Sequence, residues 1–157
     1  MTGNPAVIAT FQAALPLESH LNLQYRMDQK ILKFMGLKKL ACKLHEFGDA
    51  AHLALAQITD QLLFLTGDQV GGDGYSVPMI NQPKTVTDMF TQALAMQVAI
   101  CMAQEDAVVV AMEQKDDASR NVIKHILKQY RLIQGWMEQQ LRLISMLGEA
   151  EYIAEKL

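Results

Sequence analysis

The residues able to do chemistry in this chain of 157 amino acids are few: His20, His45, His52, His125, Cys42, Cys101, and the carboxylate Glu18 set in an apolar run. Bridging two metal ions inside a helical bundle calls for Glu-x-x-His pairs at mid-helix, because two cations need several carboxylates and two imidazoles. The apolar stripe that would carry such a pair runs Leu40, Leu44, Phe47, Ala51, Ala54, Ile58, Leu62 and Leu65. It places Ala51 and Ala54 at the two neighbouring mid-helix positions, so the helix has the frame of a metal bundle and lacks its ligands.

The other reactive side chains form no ligand set either. His20, His45 and His125 share no ligand spacing, and the two cysteines make neither a CxxC nor a zinc pattern. His45, Asp49 and His52 lie along one helical face, which reads either as a surface metal row or as a solvated face, and the second is the commoner outcome. The ten methionines are scattered through helical segments, which suits adaptable core filling better than copper or redox chemistry.

These side chains must be positioned by long helices. A first helix is expected from about Pro5 to Met35, with Val7, Phe11, Leu15, Leu21, Tyr25, Ile31 and Phe34 among its apolar positions, a kink or break at Pro16, and Gly36 as its stop. The stripe around Ala51 is the second helix and ends at Thr66-Gly67. The glycine- and proline-bearing segment 67–84 is long enough to cross the length of a bundle. A third helix starts after Pro83 with Thr85 as N-cap and carries Val86, Phe90, Ala93, Gln97, Ile100, Gln104, Ala107 and Ala111, two glutamines on an otherwise apolar face. After Lys115-Asp116-Asp117, a fourth presents Ile123, Ile126, Tyr130, Ile133, Met137, Leu141 and Ile144 and stops near Gly148, ahead of a short amphipathic tail. The reading is an all-α, four-helix bundle over residues 1–157, a single domain with one long crossover and a short C-terminal helix.

Half the residues are hydrophobic, a fifth are charged and the net charge is -3, which leaves no basic excess for nucleic acid or anionic lipid. Lys30, Lys33, Lys38, Lys39 and Lys43 gather at the first inter-helix turn and read as a solvated end. The two cysteines, Cys42 and Cys101, lie far apart in apolar helical patterns and give no disulfide framework, so a reduced, cytoplasmic setting is expected; the N-terminus has neither a basic n-region nor a long apolar core, so no signal peptide or membrane span is expected.

Several local sequences then converge. Val7-Ile8, Leu17-Glu18, Gln24-Tyr25, Gly36-Leu37-Lys38, Leu63-Phe64-Leu65-x-Gly67 and the run from Trp136 to Gly148 resemble a bacterioferritin in order and spacing over almost the whole chain. The resemblance implies a ferritin-like fold, a twenty-four-subunit cage storing ferric iron, a di-iron ferroxidase centre in each subunit and a haem b shared across each two-fold axis. Carried over residue by residue, the first-helix ligand is Glu18. The second-helix pair falls on Ala51 and Ala54, the third-helix Glu on Gln97, and the fourth-helix pair on Tyr130 and Ile133. No di-iron centre and no enzyme activity are therefore expected. Glu18 reads either as a relic metal ligand or as a structural carboxylate bonded to Tyr25, Gln97 and Tyr130, with its pKa raised by burial. The haem-ligand position is His52, which either binds haem, with Leu23 suiting a porphyrin while Ser19, Asn22 and Arg26 put polar groups on its wall and Arg26 could meet a propionate, or is an exposed or interface histidine paired with Asp49. The function implied is a non-catalytic cage subunit that co-assembles with a second, ferroxidase-competent bacterioferritin subunit. The alternative is a small dimeric bundle that binds haem or a partner and forms no cage.

Overall fold

The computed structural model describes residues 3–67 and 76–157; the first part of the anticipated crossover, residues 68–75, lies outside them. Helix α1 spans Pro5–Phe34, α2 Lys38–Thr66, α3 Val86–Glu113, α4 Asp117–Leu147 and α5 Glu149–Glu155. Their ends follow local chemistry. The side chain of Asn4 accepts from the amide of Ala6, with Pro5 in the first turn of α1, where its missing N–H has no helical partner to lose. Thr85 caps α3 by accepting from Asp88 N, and Asp116 caps α4 by accepting from Ser119 N. Gly36 and Gly148 sit at φ 83° and 81°, a backbone region that a side chain disfavours, and each stands at the end of a long helix.

Contacts fix the topology. The backbone of Gly3, ahead of α1, meets Leu65 near the end of α2, while Tyr25 late in α1 meets Phe47 early in α2, so α1 and α2 run antiparallel. Glu18 meets Gln104 while Tyr25 meets Gln97, so α3 is also antiparallel to α1 and begins beside its C-terminal end. Gly3 N donates to Leu65 O at 2.6 Å, which puts the end of α2 at the opposite end of the bundle from the start of α3. That is the crossover connectivity of a ferritin-like bundle.

The stripes anticipated on α2 and α3 are all buried. By length and apolar composition α3 could cross a membrane. Its buried side nevertheless carries two hydrogen-bonded amides, Gln97 and Gln104, as a core helix does. Three details differ from expectation. Helix α1 is not broken at Pro16, which excludes the break but not the kink expected there, because Phe11, Leu15 and Leu21 on either side are buried in the core and hold the helix across one missing hydrogen bond. Phe34 is 94% exposed, and Leu32 takes the core position, one helical step of four beyond Asp28. On α4 the fully buried position is Gln140 rather than the half-buried Leu141, since Tyr152 of α5 lies over it and donates to Gln140 Oε1 at 2.6 Å. Glu149 fastens α5 to the start of α3 by accepting from both N and Oγ1 of Thr87. Edge-on ring contacts from Tyr25 through Phe47, Trp136 and Phe90 to Tyr152 carry that docking into the core.

Candidate functional site

The bundle interior at mid-height is polar. Glu18 is fully buried; Gln104 Nε2 donates to its Oε1 at 2.8 Å, and the hydroxyl of Tyr130 donates to its Oε2. Beside this trio, Tyr25 Oη donates to Gln97 Oε1 at 2.5 Å, and Gln97 Nε2 reaches the backbone carbonyl of Tyr130 at 3.3 Å. Three helices therefore supply one carboxyl, two amides and two phenols. Neither hydrogen-bond partner is a cationic side chain, and burial pushes the Glu18 carboxyl up to about 8 against the smaller opposing effect of the Tyr130 and Gln104 donors. At neutral pH Glu18 is a neutral acid, able to donate to the Tyr130 oxygen in turn. Burial likewise holds the Tyr25 and Tyr130 phenols well above their ordinary range.

The partners of Glu18 differ from those anticipated. Gln104 takes the place that Tyr25 and Gln97 were expected to share, and the latter two bond to each other instead. Across the bundle, Ala54 and Tyr130 line a gap of only about 10 Å³, so little open space is left between them. Among the described residues, no three or more His, Cys, Asp or Glu side chains stand close enough to hold a metal ion.

Sequence reasoning missed a second buried carboxyl, Asp28, which lies among the core positions of α1. Gln24 Nε2 donates to its Oδ1 at 3.0 Å, and burial raises its pKa to about 7. The same Gln24 side chain clamps the chain ahead of α3, accepting from Asn81 N at 2.7 Å and donating to Asn81 O at 2.9 Å. The signal for this pair was a polar i, i+4 couple sharing a helix face with Leu21, Tyr25 and Leu32.

His52 is on the exposed side of α2 and makes no hydrogen bond or ion pair among the described residues. Asp49 does not pair with it: Asp49 binds Arg26 Nη2 at 2.7 Å and His45 Nε2 at 3.3 Å, and Arg26 holds its carboxyl below the usual range. Because Arg26 meets Asp49 across antiparallel helices, a step of three residues back on α1 and forward on α2 brings Leu23 level with His52. Leu23 and the neighbouring Leu53 are 48% and 51% exposed. Of the cysteines, Cys101 is buried, which pushes its thiol up to about 11, and Cys42 is exposed.

The family model described as a ferritin-like domain matches residues 12–147. The chain belongs to the ferritin-like family. It is bacterioferritin-like within it. A bacterial ferritin of Synechocystis is 28% identical over 160 residues, covering all of this chain and 99% of that protein. A bacterioferritin of Mycobacterium leprae is 24% identical, covering 99% of this chain and 96% of that one. In solved structures, a bacterioferritin of Mycobacterium tuberculosis superimposes with a TM-score of 0.92 at 23% identity, covering all of this chain and 97% of that one.

Proposed function

We propose that this bacterioferritin-like chain is a non-catalytic, structural subunit of a cytoplasmic iron-storage cage, folded as one domain, which leaves ferrous oxidation to a ferroxidase-competent subunit assembled beside it. The observation that carries the reading is the level of Glu18. One carboxyl with two amides and two phenols does not fit a di-iron centre, which needs several carboxylates and two imidazoles. Alanines stand at two of the positions that the family resemblance assigns to ligands, and Tyr130 and Ile133 at two more. Glu18 acts here as a structural acid that joins α1 to α3 and α4.

The haem position is treated separately. His52, exposed on α2, would hold the haem iron, with the exposed Leu23 and Leu53 at its level beside the ring, whereas Arg26 is committed to Asp49 and is not free for a propionate. A haem b bound there by two symmetry-related copies would supply a one-electron couple at the interface. What this chain contributes is the ligand nitrogen and the apolar contact.

Ferrous iron added anaerobically to the purified protein, followed by oxygen, tests the catalytic part of the proposal. No rapid oxidation phase is expected, and saturable oxidation at two irons per subunit would overturn it. The mass and subunit composition of the native complex test the rest. A mixed cage is the expected result, and a small oligomer of this chain alone would favour the dimeric haem- or partner-binding bundle.

A further inference from the structure

The turn between α1 and α2 presents apolar side chains that the bundle core does not use. Phe34, the last residue of α1, is 94% exposed, and Met35 beside it is exposed as well. The turn that carries them is braced. Met35 N donates to Ile31 O at 3.0 Å, Gly36 N to Lys33 O at 3.1 Å and Leu37 N to Leu32 O at 2.9 Å, and Leu37 is buried. Phe34 is thus held out at the end of the molecule by satisfied backbone bonds, with little ordering left to be done on binding.

Positive charge surrounds it. Residues 29–45 include Lys30, Lys33, Lys38, Lys39 and Lys43 and no acid, in a chain whose net charge is -3. Lys43 pairs with Glu46 at 3.2 Å, whereas the other four lysines are exposed and make no ion pair among the described residues. Asp28 on α1 is buried, and Asp88 and Glu151 belong to α3 and α5, not to this turn. Lys38 and Lys39 occupy the first turn of α2, where the helix dipole favours acids, so helix stability does not account for them. The net charge of the whole chain hides this cluster, because a surface in contact with the turn meets only the charges within a Debye length of about 8 Å.

We propose that this turn is a membrane-docking tip: Phe34 and Met35 enter the interfacial layer of an anionic bilayer, and Lys30, Lys33, Lys38 and Lys39 meet its phosphates. A projecting aromatic ringed by lysines complements a layer that is negative at its surface and apolar beneath. A rigid protein partner would need a matching hollow, and a second copy meeting this one tip to tip would bring the same lysines against them. Attachment through one tip is weak and reversible, and the copies in an oligomer multiply it.

The test is co-sedimentation of the purified oligomer with phosphatidylcholine vesicles, either pure or containing about 30% phosphatidylglycerol as the anionic lipid. Binding to the anionic vesicles is expected at low salt, with a marked loss at high salt and none to pure phosphatidylcholine. Phe34→Ser changes a side chain that faces solvent, so the fold is kept, and it should weaken binding about tenfold. Lys38→Gln and Lys39→Gln should each weaken it about fivefold. In Phe34→Trp, the emission should move to the blue with anionic vesicles, in excess of any change in the wild type, whose single tryptophan is Trp136. The proposal is overturned if the wild type does not sediment with anionic vesicles, if it binds pure phosphatidylcholine equally, or if Phe34→Ser binds like its parent. A bound Phe34→Trp protein without the blue shift would overturn it too, and so would an oligomer mass altered by Phe34→Ser, which would place Phe34 between copies of the chain.

Discussion

Replacing Glu18 by glutamine removes one titrating group from the core and leaves its shape almost unchanged. In the wild type the folded carboxyl titrates at about 8 and the unfolded one at 4.5, with burial as the main cause. Below pH 4.5 both states hold the proton and the group's full contribution to stability is present. Between 4.5 and about 8 the folded chain keeps a proton that the unfolded chain has released, so stability falls as pH rises, by about 1.4 kcal/mol for each pH unit. Above 8 both states are ionised and the loss is complete. Glutamine stays neutral throughout. Its carbonyl can accept from Gln104 or Tyr130, and its amide can donate to the Tyr130 oxygen, so at pH 4.5 the variant should match its parent to within about 1 kcal/mol. By pH 7 the Glu18→Gln protein should be the more stable by about 3 kcal/mol, and the advantage should level off just above pH 8. The assay is unfolding of both proteins across pH 4.5 to 9.5 at one fixed subunit concentration, followed by far-UV circular dichroism, since subunit association shifts apparent stability. Taking the difference between the two profiles cancels every other titrating group, Asp28 included. Parallel profiles would refute the neutral-acid account of Glu18, and so would a variant destabilised equally at every pH.

Tyr130→Phe keeps the ring beside Ala54 and deletes one of the two donors to Glu18. Denaturant unfolding at pH 7 should show a loss of about 1–3 kcal/mol, and the fall in stability should extend further into the alkaline range, because the lost donor had opposed the rise in the carboxyl's pKa. Asp28→Asn should flatten the pH dependence between 3.8 and about 7, where the folded carboxyl retains its proton, while amide exchange at Asn81 stays slow because Gln24 still holds that backbone. His52→Leu should abolish the low-spin bis-histidine spectrum of haem-reconstituted protein, with wild type binding at most one haem per two subunits; a spectrum that survives the substitution excludes His52 as the ligand.

What was legible in the sequence is what chemistry along one chain segment decides. Helix ends follow from Pro5, Thr85, Asp116, Gly36 and Gly148 acting within a few residues, and the buried faces of α2 and α3 follow from a period of three and four residues. The alanines at 51 and 54 are part of the same local pattern. Partners across helices are another matter, because a period gives neither the height of one helix against the next nor its rotation about its axis. Gln97 and Gln104 lie on one face two turns apart, about 10 Å along the axis, and nothing local says which of them stands level with Glu18. The packed bundle set Gln104 against Glu18 and Gln97 against Tyr25. The same ambiguity hid the engagement of Asp49 by Arg26, whereas Asp28 bonds Gln24 within α1, a couple whose signal lay in the sequence. Docking of α5 then decided between Gln140 and Leu141 on the last turns of α4, since only the first has an acceptor for the hydroxyl of Tyr152.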